Sequence, residues 1–156
     1  MHPRAAEFAD RARAEHGLEI EVHEFPEGTK TAADAAAVVG CDVAQIASSL
    51  VFIADNEPVV VVTSGANRVS EDKLATALGA TDVRMAEAEE IKEILGWSIG
   101  GVPPICHDSE VPVLFDETLT TQEEVWAAAG TPAAVFPIAP EQLVEVAGAR
   151  IAAVAE

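Results

Sequence analysis

Apolar and polar positions along this chain follow two rhythms, and the changes of rhythm mark its elements. Ala5, Phe8, Ala9 and Ala12 recur at helical spacing, Pro3 suits a first turn and Gly17 a C-terminal cap, so the pattern predicts a helix over Pro3–His16. Leu18–Phe25 then alternates residue by residue, which predicts a half-buried strand. A loop over Pro26–Lys30 leads to Thr31, which with Asp34 has the spacing of a capping box. An Ala-rich helix follows to Gly40, then a short helical turn over Asp42–Ala47. Ser49–Ala54 and Pro58–Thr63 are β-rich runs joined by Asp55-Asn56-Glu57, a hairpin signal. Beyond the Ser64–Val69 loop the pattern predicts a helix over Ser70–Leu78, a short strand over Asp82–Met85 and a helix over Ala86–Leu95. A loop rich in Gly and Pro, Ser98–Asp108, precedes a strand over Val111–Phe115. Thr121 and Glu124 have capping-box spacing and predict a helix ending at Gly130. A strand over Ala133–Ile138, a helix over Pro140–Ala147 and a strand over Ile151–Val154 complete the chain.

Strands and helices interleave, but the hairpin imposes antiparallel pairing. The expected architecture is α/β (α+β): a single domain over residues 1–156, with a mixed, largely antiparallel sheet of about six strands surrounded by helices. With 156 residues, 49% of them hydrophobic, the chain can bury a sizeable core.

Charge changes this picture more than length does. The net charge is −18, and the only lysines are Lys30, Lys73 and Lys92. Nucleic-acid binders are usually basic, so two readings stand. One is a solvated acidic surface adapted to molar salt, where a Debye length of about 3 Å screens repulsion. The other is avoidance of nucleic acid. Cys41 and Cys106 make neither a disulfide framework nor a CxxC pair, the N-terminal stretch lacks the apolar core of a signal peptide, and apolar runs such as Leu50–Ala54 are far too short to span a membrane. These features predict a cytoplasmic protein with reduced thiols, without membrane or DNA as a partner.

Nucleotide-binding glycine loops, HExxH, zinc-spaced Cys/His clusters and a GxSxG elbow are all missing, so no metal and no cofactor is expected. Two glycine-containing loops with polar side chains remain, Thr63-Ser64-Gly65-Ala66-Asn67-Arg68 and Gly100–His107. Each is either a turn that needs glycine or a place where backbone N–H groups meet a ligand. Cys106 beside His107 has the composition of a nucleophile pair, but adjacent residues on an extended segment point to opposite sides.

Taken in order, several stretches resemble one family. They are Thr31-Ala32-Ala33-Asp34-Ala35-Ala36, Gln45-Ile46-Ala47-Ser48-Ser49-Leu50-Val51-Phe52, Val61–Val69, Gly100–His107 and Val125–Pro132. The family is YbaK, also called the prolyl-tRNA synthetase-associated or EbsC-like domain. The resemblance implies a mixed sheet wrapped by helices and deacylation of mischarged tRNA, for example Cys-, Ala- or Ser-tRNA, with the terminal ribose hydroxyl assisting. The aminoacyl-tRNA 3′ end is the implied partner, and an aminoacyl-tRNA synthetase is a further candidate. A family Gly-x-x-x-Pro loop falls on Gly100 and Pro104. The catalytic assignments that follow are Gly100, Gly101 and Ser48; the substrate-binding ones are Lys30, Thr63, Ser64, Asn67, Arg68, Pro104, His107 and Thr131. Two departures stand out. Ser48 replaces a lysine thought to hold the tRNA end, and so brings no charge. Cys106 replaces a glycine and is expected to narrow the pocket or pack as a small hydrophobe. The first departure keeps two other readings open, a catalytically silent protein binding an aminoacyl or nucleotide-like ligand, and a regulatory interaction module.

Overall fold

The computed structural model describes residues 1–25 and 31–156; the expected loop over 26–30, with the candidate Lys30, lies outside them. The helices are α1 (Pro3–His16), α2 (Ala32–Val39), α3 (Glu71–Leu78), α4 (Ala88–Leu95) and α5 (Pro140–Ala147). The strands are β1 (His23–Glu24), β2 (Ile46–Ala54), β3 (Glu57–Ser64), β4 (Val83–Met85), β5 (Val113–Asp116), β6 (Val125–Ala128), β7 (Ala134–Ile138) and β8 (Arg150–Ala152). Their sheet runs β1-β7-β6-β2-β3-β5-β8, with β4 also paired to β2. The antiparallel pairings are β1 with β7, β2 with β3, β2 with β4, and β6 with β7. Those of β2 with β6, β3 with β5, and β5 with β8 are parallel. The mixed, largely antiparallel α/β architecture is as expected, with eight strands rather than about six.

The helix boundaries follow local chemistry. Thr31 and Ser70 cap α2 and α3 by accepting the N–H of Asp34 and Lys73. Asp55 and Asn56 both have positive φ, 47° and 69°, the conformation that a two-residue hairpin turn requires. The central strands are buried on both faces. Ala47, Val51 and Ile53 of β2 join Val60 and Val62 of β3 in the main core, which includes Phe8 of α1, Ile91 and Leu95 of α4 and Leu143 of α5. Phe52 and Ala54 join Val59, Val61 and Leu74 of α3 on the opposite face. Ile46 packs with Ala35 and Ala36 of α2.

Two expected elements differ. Leu18–Phe25 is a strand only at His23–Glu24, where β7 supplies a partner; Ile20 and Val22 still pack partly against the core. The helix expected from Thr121 to Gly130 is instead a 3₁₀ turn over Glu117–Thr121 followed by β6. Thr121 Oγ1 donates to the Thr118 carbonyl rather than capping a helix. Val125 and Ala127 are buried while Trp126 and Ala128 are half-buried, an alternation that two strand neighbours exploit.

Candidate functional site

The site begins at a fork in the sheet. One edge of β2 pairs with β3 from Ala47 to Ala54. The other edge pairs with β6 at Ile46 and Ala47, and with β4 from Phe52 to Ala54. Between these pairings the edge lies open. Val51 offers its carbonyl to the Ala86 N–H and Ile46 offers its carbonyl, on the β3 side, to Gly65 N–H. By strand alternation, Ser49 turns its N–H and C=O toward the opening, where no strand of the described residues partners them.

A cavity of about 270 Å³ fills this fork. Its walls include Ser48, Ser49 and Val51 of β2, Ile91 of α4, Trp126 and Ala128 of β6, and Ile99, Gly100 and Val102 of the glycine loop. Among the described residues, none that lines it is ionisable. Thr31 also lines it, with its hydroxyl already engaged as a helix cap. Ser49 Oγ is sealed from solvent and has no hydrogen-bond partner among the described residues. The family pattern drew attention to Ser48 and passed over Ser49. Its signal in the sequence is a polar residue on the core-facing side of a strand, between Ala47 and Val51.

The loop that carries Gly100 is held by its own hydrogen bonds. Gly101 N–H donates to the Ser98 carbonyl at 3.0 Å, closing a turn, and Gly100 at its third position has φ +89°, as a type II turn requires. Trp97 Nε1 donates to the Cys106 carbonyl at 2.8 Å, and His107 Nε2 to the Pro103 carbonyl at 2.8 Å. A Cβ on Gly101 would lie 2.6 Å from Thr131 Cα, so Thr131 acts as the surface against which this turn rests. Gly101 N–H is thus spent within the loop, and only Gly100 of the expected pair lines the cavity.

The other expected residues sit elsewhere. Thr63 Oγ1, Ser64 N–H and Asn67 Nδ2 converge on one buried carboxylate, Asp116, at 2.9, 3.3 and 3.0 Å, and the Thr118 N–H adds a fourth donor. Burial alone would raise the Asp116 pKa, but the donors outweigh it together and hold it below the ordinary value. Gly65 is packed so closely on α2 that a Cβ would meet Ala32 Cβ at 2.6 Å. Arg68 is exposed and pairs with Glu156. The two glycine loops therefore do not share the cavity: the second reaches it through Gly100, and the first packs around Asp116.

Pro104, Cys106 and His107 line a second cavity of about 340 Å³, with Glu15 and His16 of α1. Cys106 has φ +63° and is buried, which pushes its thiol up to about 12. Its position in the second cavity means that it does not narrow the first. Burial also lowers the His107 pKa, so the ring is neutral at physiological pH.

Known proteins resemble this chain along the same residues. The profile of the aminoacyl-tRNA editing domain matches residues 26–146. Among curated relatives, the proline-tRNA ligase of Ligilactobacillus salivarius is 42% identical over 87 residues, which are 56% of this chain and 15% of that enzyme. The chain therefore spans a small part of the curated relatives it matches. A solved structure described as a candidate trans-editing enzyme for prolyl-tRNA synthetase aligns over 100% of this chain and 99% of its own, with TM-score 0.95 and 37% identity. A solved hypothetical protein, 29% identical, aligns over 97% of this chain and 99% of its own with TM-score 0.86. By the extent of the profile match, the chain belongs to the aminoacyl-tRNA editing-domain family.

Proposed function

We propose that this protein is a trans-editing hydrolase that removes wrong amino acids from tRNA, with tRNA mischarged by prolyl-tRNA synthetase as its substrate class. The observation that carries the reading is a small cavity at the sheet fork, whose described walls hold no ionisable residue and which is edged by Gly100 and Ser48, in a chain of the editing-domain family. Such a cavity admits an aminoacyl group and, among the described residues, offers it hydroxyls but no ionisable acid or base. Chemistry there falls to backbone dipoles and to the substrate's own groups.

In this reading the aminoacyl group enters the fork and the ester carbonyl lies against the turn at Gly100, where a backbone N–H stabilises the developing oxyanion. Water adds to the carbonyl carbon. The C–O bond to the ribose then breaks, the neighbouring ribose hydroxyl relays a proton to the leaving oxygen, and the products are free amino acid and uncharged tRNA. Ser48 donates a hydrogen bond to the tRNA end in place of a cationic contact. The acidic surface, at −18, suits work at high ionic strength, where repulsion of RNA is screened. No helix among the described residues is long and apolar enough to cross a membrane, and a cytoplasmic location fits a tRNA substrate.

The test is deacylation of a panel of mischarged tRNAs in low and molar KCl. Gly100→Val, which forces a β-branched residue into φ +89° and places its Cβ 3.3 Å from Pro132 Cγ, should abolish turnover. Cys106→Ala should retain most of it, because a thiol pushed up to about 12 is no nucleophile at neutral pH. A dead cysteine variant beside an active glycine variant would replace the backbone mechanism with a thiol one. The uncharged Ser48 favours one alternative, a silent binding protein on the same scaffold. That protein would hold an aminoacyl ligand without hydrolysing any member of the panel.

A further inference from the structure

The second cavity holds groups that the deacylase reading does not use. Cys106 Sγ, a ring nitrogen of His16 and a carboxylate oxygen of Glu15 all lie within 4.8 Å of one another. Glu15 and His16 are the last two residues of α1 and are exposed, while Cys106 is only 4% exposed and lines the cavity they share. Among the described residues neither Sγ nor the His16 ring has a hydrogen-bond partner. Glu15 Oε2 accepts from Arg11 Nε at 2.8 Å, which leaves Oε1 open. The same guanidinium donates to Asp108 Oδ1 at 2.9 Å, so it fixes the Glu15 carboxylate against the chain just past Cys106. Cys106 also has φ +63°, a conformation that glycine adopts freely and other residues rarely, so the fold presents this thiol at a cost that glycine would not carry.

We propose that Glu15, His16 and Cys106 form a binding site for a divalent metal ion of the zinc class, with a fourth position open to the cavity. Thiolate, imidazole and carboxylate are the ligands zinc takes, and the sulfur disfavours Mg²⁺ and Ca²⁺, which take oxygen. Two anionic ligands and a neutral one balance a dication, and Asp108 and Glu110 bring further negative charge to the same cavity. Zinc bond lengths place tetrahedral ligands about 3.4 to 3.6 Å apart, so the exposed Glu15 and His16 side chains need close by only about 1 Å. On binding, the S–H bond breaks, a Zn–S bond forms and the proton leaves to solvent, with no change of oxidation state. Ligands at positions 15, 16 and 106 have no zinc-motif spacing, so the sequence alone shows no such cluster. The site ties the C-terminal end of α1 to the loop that carries Gly100, and it stands whether or not the protein is a deacylase.

The test titrates ZnCl₂ by calorimetry into the untagged full chain, reduced and stripped with EDTA, at about pH 7. About one equivalent should bind, with Kd of about 1 μM or tighter. About one proton should be released per zinc, read from the heat in two buffers of different ionisation enthalpy. Burial keeps the metal-free thiol protonated, pushed up to about 12, so the metal must displace that proton. Co²⁺ in place of zinc should give a thiolate-to-metal charge-transfer band. Cys106→Ala should abolish the band and weaken zinc binding by about 100-fold or more. His16→Gln and Glu15→Gln, at exposed helix positions that leave the core intact, should each weaken it by at least about tenfold. Saturating zinc should raise the Tm of the wild-type protein and leave that of Cys106→Ala unchanged. A wild-type chain that takes up no zinc, or that takes up cobalt without the charge-transfer band, overturns the proposal. So does wild-type affinity in any one of the three variants. If Cys106→Ala does not fold, the band and the two helix variants decide the matter alone.

Discussion

Asn67→Ala separates a structural role for the Thr63–Arg68 loop from a substrate-binding one. Asn67 Nδ2 donates to Asp116 Oδ2 at 3.0 Å and to Thr118 Oγ1 at 2.9 Å, and removing it deletes both bonds. A bond to an ionised group contributes about 1.5 to 3 kcal/mol and a neutral one about 1 kcal/mol. Asn67 is only half-buried, so water recovers part of this and the expected cost is about 2 kcal/mol. At about 2 to 4 °C per kcal/mol for a chain of this size, Tm should fall by about 4 to 8 °C. KM for a deacylated substrate should stay within twofold, since Asn67 does not line the cavity at the fork. Thermal melts followed by circular dichroism, paired with steady-state kinetics below the new Tm, give both numbers. An unchanged Tm with KM raised severalfold would refute the reasoning and return this loop to the substrate.

Gly101→Ala should destabilise by about 2 to 3 kcal/mol and cost activity, because its Cβ would lie 2.6 Å from the Thr131 Cα and backbone cannot yield cheaply; a melt within 1 °C of wild type would contradict that contact. Without bound metal, stability should be flat between about pH 7 and 8 and fall on either side. Above about pH 8.5 the unfolded chain ionises the Cys106 thiol that burial keeps protonated in the fold, so stability is lost as pH rises. The lowered His107 pKa means that the unfolded chain binds the extra proton first, so stability is lost as pH drops below about 6.5. The lowered Asp116 pKa adds a second loss below about 4, as its carboxylate protonates. His107→Gln should remove the first acid step in urea melts across pH and leave the second. With a charge of −18, Tm should rise between 0.1 and 1 M KCl as the Debye length shortens from about 10 to 3 Å, and equal or greater stability at low salt would remove the high-salt reading.

Elements governed by neighbours in sequence were legible from the sequence. Asp55 and Asn56 announce the hairpin, and Thr31 and Ser70 announce their helices, because each acts on backbone two or three residues away. The β6 strand was not legible. Val125–Ala128 is short and preceded by Thr121 and Glu124 at capping-box spacing, while the partners that make it a strand lie at Ile46–Ala47 and Val135–Ile138. The candidate site divides in the same way. Ser48 and Gly100 do reach one cavity. Thr63, Ser64 and Asn67 are polar for a different reason, a buried Asp116 that pattern alone does not connect to them. Ser49 carries a signal only once its neighbours on β2 are known to face the core.

The fork also gives the cavity a mechanical character. An interrupted ladder is a missing rung, and a ligand that bonds to Ser49 N–H and C=O supplies that rung between the β6 and β4 pairings. Occupancy would then be felt as stiffness, because β2 is shared by both branches and by its long hairpin with β3. The Ser49 amide would exchange its hydrogen quickly in the empty protein and slowly with a non-hydrolysable aminoacyl analogue bound, while the Val60–Val62 amides, already laddered, would change little.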